Sequence, residues 1–221
     1  MMKLIWKAAG RLLALLGGIV FFWMLPMKLI ARQAARQGKS TPCPATLSWL
    51  LRPSWRMGYM SPTLERIGIL PGERVLELGP GPGMFTPAAA ARVGPAGRLV
   101  AVDIQPAMIR QLKETLRKQG VTQVEPLVGS AHHLPCASGS FDRAFLITVL
   151  PEIPDRALAL AELKRVLKPG GVLSITEEFS DPDYLFAEEV VAQLTAAGYQ
   201  LISRAGGTWV YTANFRSPAG G

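Results

Sequence analysis

A short apolar stretch that runs directly into a glycine-rich turn constrains the fold of this chain more than any other feature. Residues 74–78 have the pattern of a buried strand, and the next five residues are Gly79-Pro80-Gly81-Pro82-Gly83. Residues 85–93 then have a helical pattern. Glycines at such a junction let the backbone turn sharply and let a ligand approach without a Cβ in the way. The sequence therefore predicts a strand, a ligand-binding turn and a helix in succession.

Strand-like and helical runs alternate through the rest of the chain. Further strands are predicted at 98–102, 124–128, 143–148 and 172–176, and further helices at 106–119, 155–167 and 185–197. Residues 199–204 and 208–215 are predicted to form a hairpin around Gly206-Gly207. Strands that alternate with helices predict an α/β fold with a mostly parallel sheet covered on both faces. Ligands of such sheets bind at the carboxyl ends of the strands.

A long apolar run near the N-terminus predicts attachment to a membrane. Residues 12–27 are sixteen consecutive residues without a charge. As a helix they would span about 24 Å, slightly less than a hydrocarbon core of about 30 Å. Arg11 and Lys28 flank the run and can extend its usable length by snorkelling. A single-pass anchor is expected, and a monotopic helix, a buried core helix and a signal peptide without an A-x-A-like cleavage site remain alternatives.

The excess positive charge of the chain belongs to its N-terminal region. The net charge is +8, but residues 1–64 hold nine of the 24 basic side chains and no acid precedes Glu65. The remaining 15 basic side chains face 16 acidic ones. Lys28, Arg32 and Arg36 share one helical face, which is either simply solvated or rests on anionic lipid head groups. The expected partners are a lipid membrane and no nucleic acid, with the main domain facing the cytoplasm.

Only two cysteines are present, and they are far apart. Cys43 and Cys136 form no C-x-x-C pair and no Cys/His spacing of the kind that zinc sites use. Two reduced thiols in a protein that faces the cytosol are expected. No metal is predicted.

Two acids accompany the glycine-rich turn. The spacing is G-x-G-x-G, whereas the nicotinamide fingerprint G-x-G-x-x-G would need its third glycine at Met84. Glu77 lies two residues before the first glycine, where a carboxylate would repel a diphosphate and attract a sulfonium or ammonium group. Asp103 ends the second strand, twenty residues after Gly83, and a carboxylate there accepts both hydroxyls of a ribose. The pattern indicates a positively charged ligand that contains adenosine.

Four stretches in this order resemble the motifs of class I S-adenosylmethionine-dependent methyltransferases. They are residues 77–83, Val102-Asp103-Ile104, Ser140-Phe141-Asp142 and 163–171, and the resemblance covers about residues 60–215. It is closest to the group that methylates quinones and phospholipids. The resemblance implies a Rossmann-like, doubly wound, mostly parallel seven-stranded sheet with an antiparallel C-terminal hairpin, and S-adenosyl-L-methionine as the cofactor.

The resemblance also implies roles for individual residues. It places Gly79, Gly81 and Gly83 at the methionine part of the cofactor with Glu77 near its amino group, Asp103 at the ribose, and Ile104 against the adenine. The family often has Asp-Ala after the third strand, but this chain has Ser130-Ala131, whose hydroxyl would accept the hydrogen bond of the adenine amino group more weakly. Thr148, at the end of a further strand, is expected to line the cofactor cleft.

A further departure from the family concerns the substrate pocket. The family's seventh strand usually follows a longer loop that shapes this pocket, and Gly206-Gly207 leaves almost nothing there. Residues 47–60 are therefore the candidate lid, although they also suit an ordinary packing helix. The candidate pocket residues are Arg52, Trp55, Arg56 and Tyr59. The predicted division is a membrane anchor with a basic juxtamembrane segment at 1–39, a helical lid or linker at 40–71 and the methyltransferase domain at 72–221.

No single catalytic residue is evident. Because the sulfonium donor is already activated, the main task of the protein is to position the acceptor. The candidates for a base are His132, His133, Glu177, Glu178 and Asp181. The predicted function is methyl transfer to a membrane-soluble small molecule, a phospholipid amine or a quinone or prenyl lipid. A nicotinamide-dependent oxidoreductase and a membrane-tethered, non-catalytic cofactor-binding protein are the alternatives.

Overall fold

Seven strands form one sheet in the order β3-β2-β1-β4-β5-β7-β6, in which only β7 runs antiparallel to the rest. This computed structural model describes residues 42–46 and 54–218, together with Gln33. The strands are β1 (Arg74–Leu78), β2 (Arg98–Asp103), β3 (Val124–Val128), β4 (Phe141–Ile147), β5 (Leu167–Glu178), β6 (Gln200–Gly206) and β7 (Val210–Arg216). Strands β1, β2 and β3 follow one another towards one edge of the sheet, and β4 then pairs with the other side of β1. The topological switch point therefore lies between β1 and β4.

Helices connect the strands and cover both faces of the sheet. They are α1 (Ser54–Met60), α2 (Pro62–Ile67), α3 (Thr86–Val93), α4 (Pro106–Lys118), α5 (Arg156–Val166) and α6 (Ala187–Ala196), with a 3₁₀ turn at Leu150–Glu152. Proline occupies the first turn of α2, α3 and α4, where its missing N–H costs nothing. Asp155 caps α5 by accepting a hydrogen bond from the Leu158 N–H at 3.0 Å.

The core extends N-terminally beyond the predicted start of the main domain. Met60, Leu64 and Ile67 are almost completely buried and pack in one cluster with Val75 of β1 and Phe145 of β4. Helix α2 therefore belongs to the packed domain, and the predicted division at residue 72 cuts through this core. The reason is that α2 covers the sheet face that would otherwise expose these two central strands.

The sequence-based elements agree with the structure except at β5. The predicted strand 172–176 extends over Leu167–Glu178, because the Pro169-Gly170-Gly171 stretch is a bulge within the strand. The register with β4 shifts there, between the pairs Phe141–Leu167 and Arg143–Val172. The hairpin is present, and the Gly207 N–H donates to the Val210 carbonyl at 3.0 Å.

The apolar run 12–27, and with it the predicted anchor at 1–39, lies outside the described residues. Within the part of the chain that the structure describes, no helix combines the length and the apolar character needed to span a membrane.

Candidate functional site

A cavity of about 380 Å³ opens at the carboxyl ends of the four strands β1, β2, β3 and β4. Its walls consist of residues 42–44, 77–82, 84–85, 102–105, 129–132, 147–149, 152–154 and 181–183, with Arg56 and Met108. This is the position at which open parallel sheets bind ligands. Residues 42–44 and Arg56, which precede the sheet in sequence, also line the cavity, together with the loops that follow the strands.

The glycine-rich turn forms the floor of the cavity. Gly79 has φ = 73°, and a Cβ built on it would lie 2.4 Å from Cγ2 of Val149. Any larger residue would therefore have a strained backbone at this φ and a Cβ that overlaps Val149. Gly83 has φ = 86° but does not line the cavity, since a Cβ there would meet Cδ1 of Leu112 at 2.6 Å. Close packing of the turn against α4 accounts for a glycine at this position, and the contact of Gly83 with the cofactor stays a prediction.

Glu77 is the most deeply buried acid of the cavity wall. Only 4% of this residue is exposed, and its Oε2 has no hydrogen-bond partner among the described residues. Burial raises the pKa of Glu77 to about 8, and the charge of Asp103 adds to this effect. The Thr86 hydroxyl group beside it opposes this rise in pKa. A buried carboxyl oxygen without a partner is costly unless a ligand supplies the donor, so Oε2 of Glu77 points to a ligand with an ammonium or another N–H group.

Asp103 is held in place by the backbone at the end of β2. Its Oδ2 accepts a hydrogen bond from the Gly81 N–H at 3.1 Å, and its Oδ1 accepts one from the Gln105 N–H at 2.8 Å. Burial raises the pKa of Asp103, while these two backbone hydrogen bonds oppose the rise. The carboxylate is therefore ready to accept hydroxyl donors at the position where a ribose is expected.

The predicted adenine contacts lie beside Asp103. Ile104 lines the cavity and is 54% exposed, so it presents an apolar surface on which a flat ring can pack. Ser130 and Ala131 also line the cavity, and the Ser130 Oγ accepts a hydrogen bond from the His132 N–H at 3.2 Å. Thr148 lines it from the end of β4 with φ = 54°, a strained conformation of the kind often found at functional sites.

Residues 42–46 form a strap that crosses the cavity mouth. The side chain of Gln105 donates from Nε2 to the Cys43 carbonyl at 2.8 Å and accepts from the Ala45 N–H at 3.2 Å. Cys43 lines the same cavity as Glu152 of the loop after β4. The strap is thus attached to Gln105, two residues after the ribose acid.

Helix α1 is attached to the end of β5 by a buried ion pair. Arg56 contacts both the cavity and Glu178, with Nε and Nη2 each 2.7 Å from Oε2. Tyr59 donates its hydroxyl to Oε1 of the same carboxylate but does not line the cavity. Trp55 lies on α1, and Arg52 lies outside the described residues. The Arg56 guanidinium lowers the pKa of Glu178 against the opposing effect of burial, so Glu178 is a structural anion.

The structure brings two of the five candidate bases into the cavity wall. These are His132, whose Nε2 is buried without a described partner, and Asp181. His133 is exposed instead, and Glu177 and Glu178 are buried outside the lining because helices and loops cover both faces of β5. Both oxygens of Glu177 have no partner among the described residues, and burial raises its pKa well above the ordinary value.

Sequence reasoning missed several residues of the wall. Glu152 lies in the 3₁₀ turn after β4, and burial together with the charge of Asp181 raises its pKa to about 8. Asp183, Gln105 and the strap also line or close the cavity. The one available signal for Glu152 was its position a few residues after a central strand, where ligand-binding loops begin.

The wall suits S-adenosylmethionine. Among the described lining residues, five are acids and two, Arg56 and His132, are basic, which favours a cation and disfavours a dinucleotide diphosphate. The Glu77 Oε2 atom, which has no partner among the described residues, matches an amino group, and Asp103 matches a ribose. The Gly79 turn leaves space for a ligand to approach the backbone. When bound, this cofactor supplies an activated methyl group on a sulfonium.

The comparisons with known proteins agree with this site. Residues 76–175 match the family model described as a methyltransferase domain, just under half of the chain. An uncharacterized 37.1 kDa protein of transposon TN4556 from Streptomyces fradiae is 40% identical over 119 residues, which cover 54% of this chain and 34% of the relative. The ubiquinone/menaquinone biosynthesis C-methyltransferase UbiE of Pasteurella multocida (strain Pm70) is 37% identical over 121 residues, 54% of this chain and 45% of the relative. The chain thus spans about half the length of these curated relatives, or less.

A solved structure supports the fold. A SAM-dependent methyltransferase from Aquifex aeolicus superposes with a TM-score of 0.73 at 23% identity, covering 80% of this chain and all of the other. The predicted Rossmann-like α/β fold with a mostly parallel seven-stranded sheet and an antiparallel end is confirmed.

Proposed function

We propose that this chain, whose residues 76–175 form an S-adenosylmethionine-dependent methyltransferase domain, transfers a methyl group to a quinone-type lipid. The enzyme class and the cofactor predicted from the sequence are confirmed at the level of this domain. The acceptor and the membrane association are the part that we propose. The oxidoreductase alternative is set aside, because the matching family is a methyltransferase domain and the turn has the spacing G-x-G-x-G in place of the nicotinamide fingerprint.

One observation carries the proposal: the cavity that holds the donor-binding residues also has apolar residues in its wall. Pro42, Pro44, Ile153 and Pro154 line the same cavity as Glu77 and Asp103, and carboxyl groups of the loops after β4 and β5 line it too. An apolar wall suits a planar hydrophobic ring, and the carboxyls can receive the proton that a ring carbon or hydroxyl loses on methylation.

Similarity to the UbiE relative supports the same class of acceptor. The name of that protein assigns it C-methylation in ubiquinone and menaquinone biosynthesis, and the similarity extends over 121 residues of this chain. Residues 76–175, which match the methyltransferase family model, include the glycine-rich floor of the cavity. A quinol ring is electron-rich and lipid-soluble, so it can approach the sulfonium methyl from an apolar cleft. The residues of the strap and of α1, which precede the matching region, would then shape the acceptor space of this chain.

The membrane part of the proposal rests on the sequence. The uncharged run 12–27 and the basic residues around it would hold the chain at anionic lipid, as a single-pass or monotopic protein with its methyltransferase domain facing the cytoplasm. A lipophilic acceptor would then reach the cavity from the bilayer. The full chain is expected to float with anionic vesicles at moderate salt. Flotation with zwitterionic vesicles as well indicates the single-pass form, and recovery in the aqueous fraction with both kinds of vesicle would contradict membrane attachment.

A phospholipid amine is the second candidate acceptor. The acids of the cavity wall outnumber its basic residues, and an acid-rich wall also attracts an ammonium group. This candidate differs from the first in its product, since the methyl group would be found on a head group and not on a ring carbon.

Methyl transfer to defined lipids distinguishes the candidates. The full chain is incubated with S-adenosylmethionine labelled in its methyl group and with vesicles that contain either a demethylated menaquinol or phosphatidylethanolamine. Asp103→Asn, which weakens the ribose contact, is the inactive comparison, and Glu125→Gln on the exposed edge of the sheet is the matched control. Label on the ring carbon of the quinol is expected. Label only on the head group supports the second candidate, and label only in a water-soluble product contradicts both.

A further inference from the structure

We propose that the Gln105 side chain latches the strap over the methyl donor and thereby sets the rates at which the donor enters and S-adenosylhomocysteine leaves. Gln105 follows the ribose acid Asp103 by two residues, and it lines the cavity together with Pro42, Cys43 and Pro44 of the strap. Gln105 acts through the strap, so it is a positioning residue. The inference concerns the donor site alone and does not depend on the identity of the acceptor.

The sequence makes the strap an extended and stiff segment. Residues 42–45 are Pro-Cys-Pro-Ala. Each proline fixes its own φ at about −65° and has no N–H, and the residue before a proline is confined to extended conformations. Residues 42–44 belong to no helix or strand. The segment therefore moves as a unit, and side chains of a neighbouring element can hold its backbone.

Two glutamine side chains hold the strap by three hydrogen bonds. Gln105 donates from Nε2 to the Cys43 carbonyl at 2.8 Å and accepts from the Ala45 N–H at Oε1 at 3.2 Å. Gln111, on helix α4, donates from Nε2 to the Ala45 carbonyl at 3.3 Å. The single amide of Gln105 thus pairs with a carbonyl and an N–H two residues apart, as the backbone of a neighbouring strand would.

The position of Gln105 separates this latch from the folding of α4. Gln105 is the N-cap of the helix, but its side chain makes no capping hydrogen bond. Its backbone orders the loop instead, because the Gln105 N–H donates to Oδ1 of Asp103 at 2.8 Å. A change of the Gln105 side chain therefore removes the latch while the helix cap and the backbone contact to the ribose acid remain.

The latch closes the cavity on the side of the adenosine. Asp103 and Ile104, which are assigned to the ribose and the adenine, belong to the same short segment as Gln105. A ligand that is enclosed by the strap leaves only after the strap has opened, and a new ligand enters only through the open state. The latch forms in the free and the bound protein alike. Its loss therefore raises both rate constants by a similar factor and changes Kd little.

Binding kinetics of S-adenosylhomocysteine to the full chain in detergent test the latch by surface plasmon resonance at pH 7. Gln105→Leu removes both hydrogen bonds of the amide, so the association and dissociation rate constants are expected to rise about 10- to 30-fold, with Kd within about threefold. Gln105→Glu keeps the acceptor for the Ala45 N–H and loses the donor to the Cys43 carbonyl, so both rate constants should rise at least about fivefold.

Gln123→Leu is the matched control for these variants. The Gln123 side chain also donates to a backbone carbonyl, that of Ala90 at 3.2 Å, and neither residue lines the cavity. Both rate constants of this variant should stay within about twofold of wild type, because its lost hydrogen bond is remote from the strap.

Alkylation of Cys43 by iodoacetamide measures the opening of the strap without a ligand. Cys43 is a half-buried free thiol, and mass spectrometry of the peptide that contains it gives the rate of modification. Gln105→Leu should raise this rate at least about threefold in the donor-free chain, because the open population grows. Cys136, a second half-buried free thiol outside the cavity wall, is the internal reference and should react at an unchanged rate.

Three results would overturn the latch. The first is a dissociation rate constant of Gln105→Leu within about twofold of wild type. The second is a rise of the dissociation rate constant alone with a matching rise of Kd, which would mean that Gln105 contacts the ligand and does not hold the strap. The third is an unchanged alkylation rate of Cys43. If Gln105→Leu does not fold, Gln111→Leu carries the test, with an expected rise of both rate constants of about fivefold.

Failure of the latch and failure of the proposed function are separate results. Neither assay contains a methyl acceptor, so unchanged kinetics in Gln105→Leu overturn the latch and leave the proposed acceptor untouched. A wild type that methylates no quinone-type lipid contradicts the proposed acceptor and leaves the kinetics of S-adenosylhomocysteine to decide on the latch.

Discussion

Binding of the methyl donor should release a proton from Glu77. In the donor-free protein this carboxyl is 96% buried, has no described partner for Oε2 and has a pKa of about 8, so it is protonated at pH 7. The cofactor's ammonium and sulfonium groups favour the ionised carboxylate, and the pKa of Glu77 in the complex must therefore be lower. Below pH 8 the protein must lose this proton when it binds, so affinity rises as the pH rises and levels off near pH 8.

The size of the effect follows from linkage. Each unit by which binding lowers the pKa of Glu77 corresponds to about 1.4 kcal/mol. If the pKa in the complex falls well below 6, the affinity for S-adenosylhomocysteine changes by up to about 50-fold, or about 2.3 kcal/mol, between pH 6 and pH 8. Glu77→Gln imitates the protonated form and should bind with little pH dependence.

Isothermal titration calorimetry measures this proton directly. Titrations of S-adenosylhomocysteine at pH 7 in buffers with different ionisation enthalpies should give close to one proton released by wild type and by Glu114→Gln, an exposed control. Glu77→Gln should release much less. Equal proton release by wild type and Glu77→Gln, or an affinity for wild type that is constant from pH 6 to pH 8, would refute the assignment of Glu77 to the amino group of the donor.

Three further substitutions test other parts of the structure. Gly79→Ala is expected to lower the free energy of unfolding by about 2–4 kcal/mol and to abolish donor binding, because it adds a steric overlap to the strain of a positive φ. The control Gly72→Ala, with φ = 84° and open space at its Cβ, should lower it by only about 1 kcal/mol. Equal losses of unfolding free energy in chemical denaturation would contradict this reasoning. Arg56→Met should lower the free energy of unfolding by about 3–5 kcal/mol, because it leaves the Glu178 charge buried without its ion-pair partner. The double variant Arg56→Met, Glu178→Gln should recover most of this loss. If the losses of the two single variants simply add in the double variant, the ion pair does not contribute to stability. Glu177 has a raised pKa in the folded state, so the wild type loses stability as the pH rises from 4.5 towards that pKa, by at most about 1.4 kcal/mol per pH unit. Glu177→Gln should therefore be the more stable protein at pH 8. A wild type that is equally stable at pH 5 and pH 8 would contradict this prediction.

The parts of the site that follow from local sequence were predictable. A glycine turn after a strand and an acid at the end of the next strand have fixed positions in a parallel sheet, so Gly79, Glu77 and Asp103 could be located by counting residues. The structure adds that Gly83 packs against α4 and does not line the cavity. The sequence could not separate these two uses of glycine, because both require the absence of a Cβ.

The parts that depend on contacts between distant segments were not predictable. Glu152 and Asp181 line the same cavity because β4 and β5 are neighbours in the sheet, and the strap reaches Gln105 from about sixty residues away in sequence. Strand alternation does place Glu177 and Glu178 on opposite faces of β5, but both faces are covered, so neither side chain reaches solvent. A single sequence shows that side chains alternate between the two faces of a strand, but it does not show which elements pack on each face.

Methylation of a lipid that copurifies with the full chain tests the central proposal most directly. The protein is purified with its bound lipids, and the lipid fraction is analysed by mass spectrometry before and after addition of S-adenosylmethionine carrying a deuterated methyl group. The account predicts that a quinone-type lipid gains one labelled methyl group on a ring carbon, and that Asp103→Asn forms much less of this product. Label that appears only in water-soluble products, or a lipid fraction that is unchanged while the donor is consumed, would contradict it.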